Sequence, residues 1–223
     1  NQVISYHQLH HPKLTTIQLE ENQGIDPALQ QGLAEINTEF FARINSDDIT
    51  LPHGVEHQII FLQNHSDIAA AGTAVIESDD HIYQKTKNLN LATTKIRSLP
   101  EKHDDTVRYC RINSPLNHPS MMARTAIIRQ SGGYRQLHFM EDYGLWAQLI
   151  SIGARLHNLP EPLTYFRTLT AQIQRRTGVG ILKPKWQMQQ NLISYGITSK
   201  PQAIFNLIVR TFYRTIPRPT LKK

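Results

Sequence analysis

The stretch "DIAAAGTAVIE", residues 67–77, constrains this chain more than any other. From Ile68 to Ile76 its side chains are small or apolar, with Thr73 the one exception. A run of that length, bounded by acids, reads as a central strand with both faces covered, as in a parallel sheet lined by helices. The flanking segments supply those helices. Asp26 as N-cap and Pro27 at the first helical position, followed by apolar residues at helical spacing through Ile36, predict a helix over 26–37. "EFFARI" (39–44) predicts the next strand, and Leu51-Pro52 opens a second helix with Val55, Ile59, Ile60 and Leu62 on one side. Upstream, "LTTIQL" (14–19) is short and β-branched, a strand by composition, and "NQVISYHQLHH" reads as a helix end stopped by Pro12.

Downstream, residues 78–112 are polar and poorly periodic and read as a variable excursion. "SMMAR" (120–124) predicts a short strand, followed by a short helix and the turn Gly132-Gly133-Tyr134. "EDYGLWAQLISIG" (141–153) predicts a helix with Leu145, Trp146, Leu149 and Ile150 on one face and Gly153 as its stop. "ARLHNLP" and "LTYFR" read as short strands or extended segments, and the chain after about residue 170 as helical and basic. This alternation gives an α/β fold with a mostly parallel sheet and helices on both faces. In such sheets ligands sit beyond the carboxyl ends of the strands.

Composition narrows the partners. The 223 residues carry a net charge of +6. That balance favours acidic partners: nucleotide diphosphates, anionic lipids or nucleic acid. No clustered basic patch with interleaved aromatics supports nucleic acid. Cys110 is the one cysteine, so the chain has neither a disulfide framework nor a CxxC metal site. No signal peptide and no run of about 18 apolar residues is visible, which reads as a cytoplasmic chain. Asn1 in place of Met reads as a fragment or a processed product.

Two acidic stretches invite chemistry. Asn45-Ser46-Asp47-Asp48 leaves the strand 39–44 at the end where an α/β protein binds ligands. Adjacent carboxylates there suit Mg²⁺ or Mn²⁺, which bind through one or two carboxylates plus substrate phosphates. Read as plain structure, Asp47 or Asp48 caps the helix near Pro52 or forms a solvated turn. Glu141-Asp142 opens a helix whose macrodipole favours acids at that end; read as chemistry, one of them is a general base. Asn117, His118 and Ser120 precede a short strand, and a histidine before proline is by itself a loop residue. His7, His10 and His11 lack a second ligand cluster for zinc. "SGGYR" lacks the GxxxxGK[ST] pattern of a phosphate loop.

Taken in order, these pieces resemble glycosyltransferase family 2 of the GT-A fold, over about residues 15 to 176. Its motifs appear here as Asn22-Gln23-Gly24 before a helix, "ARINSDD", "LPHGVEHQIIFLQNHSDIAAAGTAV", and "NHPSMMARTAIIRQSGGYRQLHFMEDYGLWAQLISIGARLHNLPEPLTYFR". The resemblance implies a GT-A-like unit over residues 1–170, lacking the N-terminal part of the nucleotide-binding half, and a basic helical region over 171–223. It implies Asp47, with Asp48 beside it, as the metal-holding acids; Asn45, Arg43 and His118 on the donor side; and Asp142, with Glu141 beside it, as the base at the acceptor hydroxyl. Mg²⁺ or Mn²⁺ is the implied cofactor, a nucleotide-sugar the donor, and a glycan or lipid-linked molecule the acceptor, in an inverting transfer. Asn45 stands where the family has an acid, which keeps an acceptor oxygen and removes a charge. That departure leaves a second reading, a degenerate transferase-like domain that binds without catalysing. "QIQRRT" (172–177) resembles the QxxRW motif of processive synthases without its tryptophan, so a single addition is expected. The tail "IFNLIVRTFYRTIPRPTLKK" reads either as a helix packed on the core or as a peripheral contact with anionic lipid on the inner face of the plasma membrane.

Overall fold

A computed structural model describes residues 13–168 and 182–215, with the side chains of Leu182 and of 210–215 left out. In chain order the elements are helix α1 (Ile25–Glu35), strands β1 (Phe40–Arg43) and β2 (Ile49–Thr50), helix α2 (Gly54–Asn64), strand β3 (Ile68–Asp79), helices α3 (Asp80–Thr86) and α4 (Leu89–Ala92), strand β4 (Thr93–Arg97) and helix α5 (His103–Cys110). A 3₁₀ turn at His118–Ser120 leads into β5 (Met121–Arg124), then α6 (Thr125–Gln130), α7 (Glu141–Ser151), β6 (Arg155–Thr168), α8 (Leu182–Ser194) and α9 (Lys200–Thr215).

The expected central strand is β3. Its first eight residues are buried, and it pairs with β5, β6 and β4. The sheet runs β1-β5-β3-β6-β2, with β4 on the far end of β3. β3 and β6 pair in parallel, and β1 points the same way because it and β3 both lie antiparallel to β5. β2 and β4 run against this direction, so the sheet is mixed, with its three α/β-type strands parallel in sense.

Side chains alternate across the sheet with the period of two that a strand imposes. Ala70, Met121 and Ala123 join Leu33 of α1, Ile128 of α6 and Leu145, Trp146 and Leu149 of α7 on one face. Ala71 and Met122 join Leu62 and its α2 neighbours on the other. A third cluster ties Cys110 of α5 and Tyr143 and Ala147 of α7 to Met188 and Leu192 of α8. Small residues in β3 make room for this. A Cβ on Gly72 would meet Asn158 Oδ1 at 2.4 Å and Leu116 Cγ at 3.2 Å. Asn158 cannot retreat easily, since its side-chain nitrogen donates to the carbonyls of Pro100 and Pro115 at 2.8 and 2.9 Å.

Several local expectations are corrected. Residues 14–19 form no strand among the described residues, and Leu14 and Ile17 lie exposed. β-branched composition supplies no ladder when no described strand lies alongside. Asp26 does not cap α1: the helix begins at Ile25 after Gly24 at φ 93°, and Asp26 is buried, its Oδ2 accepting from Leu137 N at 3.0 Å. The stretch 78–112 is structured, carrying α3, α4, β4 and α5; β4 finds its partner in the far half of β3, which local periodicity cannot reveal. "ARLHNLP" and "LTYFR" are one strand, β6. Its register jumps from Leu159 to Pro162 as β3 advances from Thr73 to Ala74, a bulge where the prolines lack ladder donors. His7, His10, His11 and "QIQRRT" lie outside the described residues.

Candidate functional site

The acidic turn is built by the end of β1. Asp48 N donates back to Asn45 O at 3.2 Å, closing residues 45–48 into a turn that delivers the chain to β2. Asp48 does not cap α2, whose N-cap is His53. Instead its carboxylate is buried and doubly engaged: Asn45 Nδ2 donates to Oδ2 at 2.6 Å, and the backbone N of Arg167 donates to Oδ1 at 3.0 Å. Burial raises the Asp48 pKa and neighbouring Asp47 adds to it, while the Asn45 and Arg167 hydrogen bonds and the Arg43 charge oppose them. The Arg167 side chain holds the turn as well. Its Nε donates to Asp47 O, and its guanidinium pairs with Asp80 at 3.1 Å and lies over the Tyr83 ring.

Arg43, the last residue of β1, is the charge that joins this turn to the second acidic stretch. Burial lowers its pKa, and the groups that oppose burial are Tyr134, Asp142, Glu141 and Asp48, in that order of strength. Glu141 and Asp142 sit half-buried in the first turn of α7, where the helix dipole favours them. Ser114 Oγ donates to Asp142 Oδ2 at 3.0 Å. Asp48, Glu141 and Asp142 thus all act on one guanidinium, although about a hundred positions separate the two stretches.

His118 lies below this cluster, only 6% exposed. Its Nε2 is 2.9 Å from Tyr134 Oη, and the indole of Trp146 meets it edge-on. Burial, reinforced by the Arg43 charge, lowers its pKa well below the ordinary histidine value. The imidazole is neutral near pH 7 and belongs to the floor of the site. Burial likewise raises the pKa of Tyr134, so its hydroxyl stays protonated. Asn117 and Ser120 are structural, since both donate to Thr73 O on β3 and hold the turn before β5.

Three contributors escaped sequence reading: Ser114, Tyr134 and Arg167. Tyr134 was legible only as part of a turn and Arg167 only as a strand end, because the partners of all three lie far off in the chain. An open cleft of about 500 Å³ lies between the first turn of α1, Gln136 and His138 before α7, and Lys183 and Gln187 of α8.

No trio of His, Cys, Asp or Glu among the described residues is placed to cage a metal. Both Asp48 oxygens already accept hydrogen bonds, and the half-exposed Asp47 with Asn45 beside it offers one carboxylate and one amide oxygen. That donor set fits a hard cation held chiefly by a ligand's phosphates, and it does not fit an all-protein site.

Comparisons with known proteins bear on the family and the fold. Residues 2–130 match the family model described as Glycosyl transferase family 2. The amylovoran biosynthesis glycosyltransferase AmsE of Erwinia amylovora is 29% identical over 204 residues, covering 92% of this chain and 73% of that protein. The Escherichia coli UDP-Gal:alpha-D-GlcNAc-diphosphoundecaprenol beta-1,3-galactosyltransferase is 26% identical over 89% of this chain and 69% of its own length. Among solved structures, S. aureus TarS 1-349 in complex with UDP-GlcNAc superposes with a TM-score of 0.66 at 14% identity, covering 96% of this chain and 61% of that one. A mannosyltransferase from Pyrobaculum calidifontis with GDP-Man and Mn2+ gives 0.57 at 12% identity, over 95% of this chain and 56% of that one. At such identities the structural likeness speaks for the fold alone. With the family match spanning more than half the chain, the sequence resemblance holds: this protein belongs to glycosyl transferase family 2, the enzymes that transfer sugars to acceptors.

Proposed function

We propose that this chain transfers a single sugar from a nucleotide-sugar donor to a glycan or lipid-linked acceptor during cell-surface polysaccharide synthesis, with inversion at the anomeric carbon. The observation that carries the reading is Arg43, a half-buried cation at the end of β1 on which Asp48 of the acidic turn and Glu141 and Asp142 of α7 all act. Two carboxylate stretches at one cation supply the two charges such a transfer needs, one for the donor diphosphate and one for the acceptor proton. Asp142 accepts the proton of the attacking hydroxyl, and the Ser114 hydroxyl bonded to its Oδ2 orients it. Glu141 stands beside Asp142 at the dipole-favoured end of α7. Asp47 and Asn45 face the donor diphosphate. A Mg²⁺ or Mn²⁺ there supplies neutralisation of the leaving group. Arg43 places a positive charge beside both acidic stretches, and the neutral His118–Tyr134 pair fixes the floor.

Residues 1–170 form the transferase unit, and 171–223 a basic helical region that meets an anionic membrane surface on the cytoplasmic side. The named acceptor of the E. coli relative is a lipid diphosphate, which supports a lipid-linked acceptor here. A second reading, a non-catalytic binding domain, draws on Asn45: its amide is spent on Asp48, where an acid would add charge.

The test is sugar transfer, or donor hydrolysis, from UDP- and GDP-sugars with Mn²⁺. Asp142→Asn is expected to lower kcat by at least 10²-fold, the scale of positioned general-base catalysis, with donor Kd unchanged. Turnover undiminished in Asp142→Asn overturns the assignment of the base. Donor binding without turnover in the unsubstituted chain supports the second reading.

A further inference from the structure

Helix α9 is inverted relative to an ordinary surface helix. It meets the protein through Ala203 and Asn206, both buried, and Asn206 Nδ2 donates to Arg111 O at 2.8 Å. Its large apolar residues point away: Ile204 is 51% exposed, Phe205 61%, Ile208 62% and Val209 44%. At 3.6 residues per turn these four share one face. An apolar strip of this kind calls for an occupant. No helix among the described residues is long and apolar enough to cross a membrane, so α9 is suited to lying on a surface.

Charge identifies the surface. After Glu161 the chain holds eleven lysines and arginines and no acid, while its first 161 residues hold all 18 acids and the other 13 bases. The modest total of +6 therefore hides a segment of +11 beside one of −5. An apolar helix face within an acid-free, strongly basic segment complements a bilayer of anionic lipid: apolar side chains enter the acyl boundary while the segment's lysines and arginines meet the headgroups, Arg167, which pairs with Asp80, and the buried Lys185 excepted.

We propose that the face of α9 formed by Ile204, Phe205, Ile208 and Val209 is a docking surface for an anionic membrane, with the helix lying in the plane of the interface. This deepens the proposed reading, since a lipid-linked acceptor lies in that plane, yet it does not depend on sugar transfer.

The experiment is co-sedimentation of the full chain with vesicles of phosphatidylcholine alone and of phosphatidylcholine with phosphatidylglycerol in equal parts. The expected result is at least tenfold tighter binding to the anionic vesicles, weakening as salt rises. The double variant Phe205→Asp, Ile208→Asp should lose at least tenfold of that binding. Its thermal midpoint should stay at the unsubstituted value, because both side chains are exposed. Equal binding to both vesicle types, or undiminished binding by the folded variant, overturns the proposal. A dimer in light scattering that the variant dissolves, with no vesicle binding, also overturns it and gives the face to a second copy. Transfer to a soluble acceptor analogue reads the active site separately: its absence with vesicle binding intact refutes the catalytic reading and leaves this one standing.

Discussion

Removing the Arg167 side chain is the sharpest test of how the acidic turn is held. Three side-chain contacts disappear in Arg167→Ala: the Nε bond to Asp47 O, the ion pair to Asp80 and the contact over Tyr83. The backbone bond from Arg167 N to Asp48 survives. Both members of the ion pair are largely buried, at 18% and 15% side-chain exposure, so its loss leaves the poorly solvated Asp80 carboxylate with a long 3.4 Å bond from Gln84 Nε2 in place of its counter-charge. Leaving such a group unmatched costs about 1–3 kcal/mol, the hydrogen bond about 1 kcal/mol, and the cation–π contact about 0.5–1 kcal/mol. These contributions share one side chain and do not simply add, so a loss of about 2–4 kcal/mol is expected. Urea denaturation reads the stability, and donor Kd reads the turn. Arg167→Lys keeps the charge without the planar fork and should recover about half of the stability and little of the donor affinity. The double variant Arg167→Ala, Asp80→Asn should be less destabilised than the sum of its parts, because no carboxylate then lacks its counter-charge. Stability and donor Kd both unchanged in Arg167→Ala would refute the idea that this residue braces the turn.

Gly72→Ala places a Cβ against an asparagine already bonded on its other side, so about 1–3 kcal/mol should be lost in chemical denaturation. A stability equal to that of the unsubstituted chain would mean β3 and β6 can separate freely. His118 has a folded pKa depressed below the unfolded 6.5, so its contribution is complete above pH 6.5 and is lost as pH falls, by up to about 1.4 kcal/mol per pH unit. In His118→Phe the difference in unfolding free energy between pH 7 and pH 5 should shrink accordingly; an unchanged difference would assign the acid sensitivity to His103 and His157, whose pKa values are lowered in the same sense. Cys110 is fully buried, and burial pushes its thiol up to about 12, so a disulfide reagent should label it only after denaturant is added. Rapid labelling of the native chain would mean α5 opens readily from α7 and α8.

Much of this protein was legible along its sequence because the relevant physics is local. The apolar run 67–77, the helical spacing of 26–37 and 141–153, and the acids at a strand end and a helix start depend on neighbours within a turn or two. The ordered motifs, from "ARINSDD" to "EDYGLW", carry the family along the sequence itself. Tertiary structure decided the rest. β4 exists because β3 extends far enough to pair with it, and residues 14–19 form no strand because propensity alone makes no ladder. Asp48 is a buried anchor where it could have been an open ligand, because Arg167, next to the last residue of β6, lies beside it. His118 is a neutral floor residue because Tyr134 and Trp146 close over it. α9 turns its apolar side outward: Ala203 and Asn206 are the residues buried against the protein, and Phe205 stays exposed. Composition and spacing fix which segments can be strands and helices; which side chain shields, pairs with or charges another is fixed only when the chain closes on itself, because burial and Coulomb interactions act through space and not along sequence.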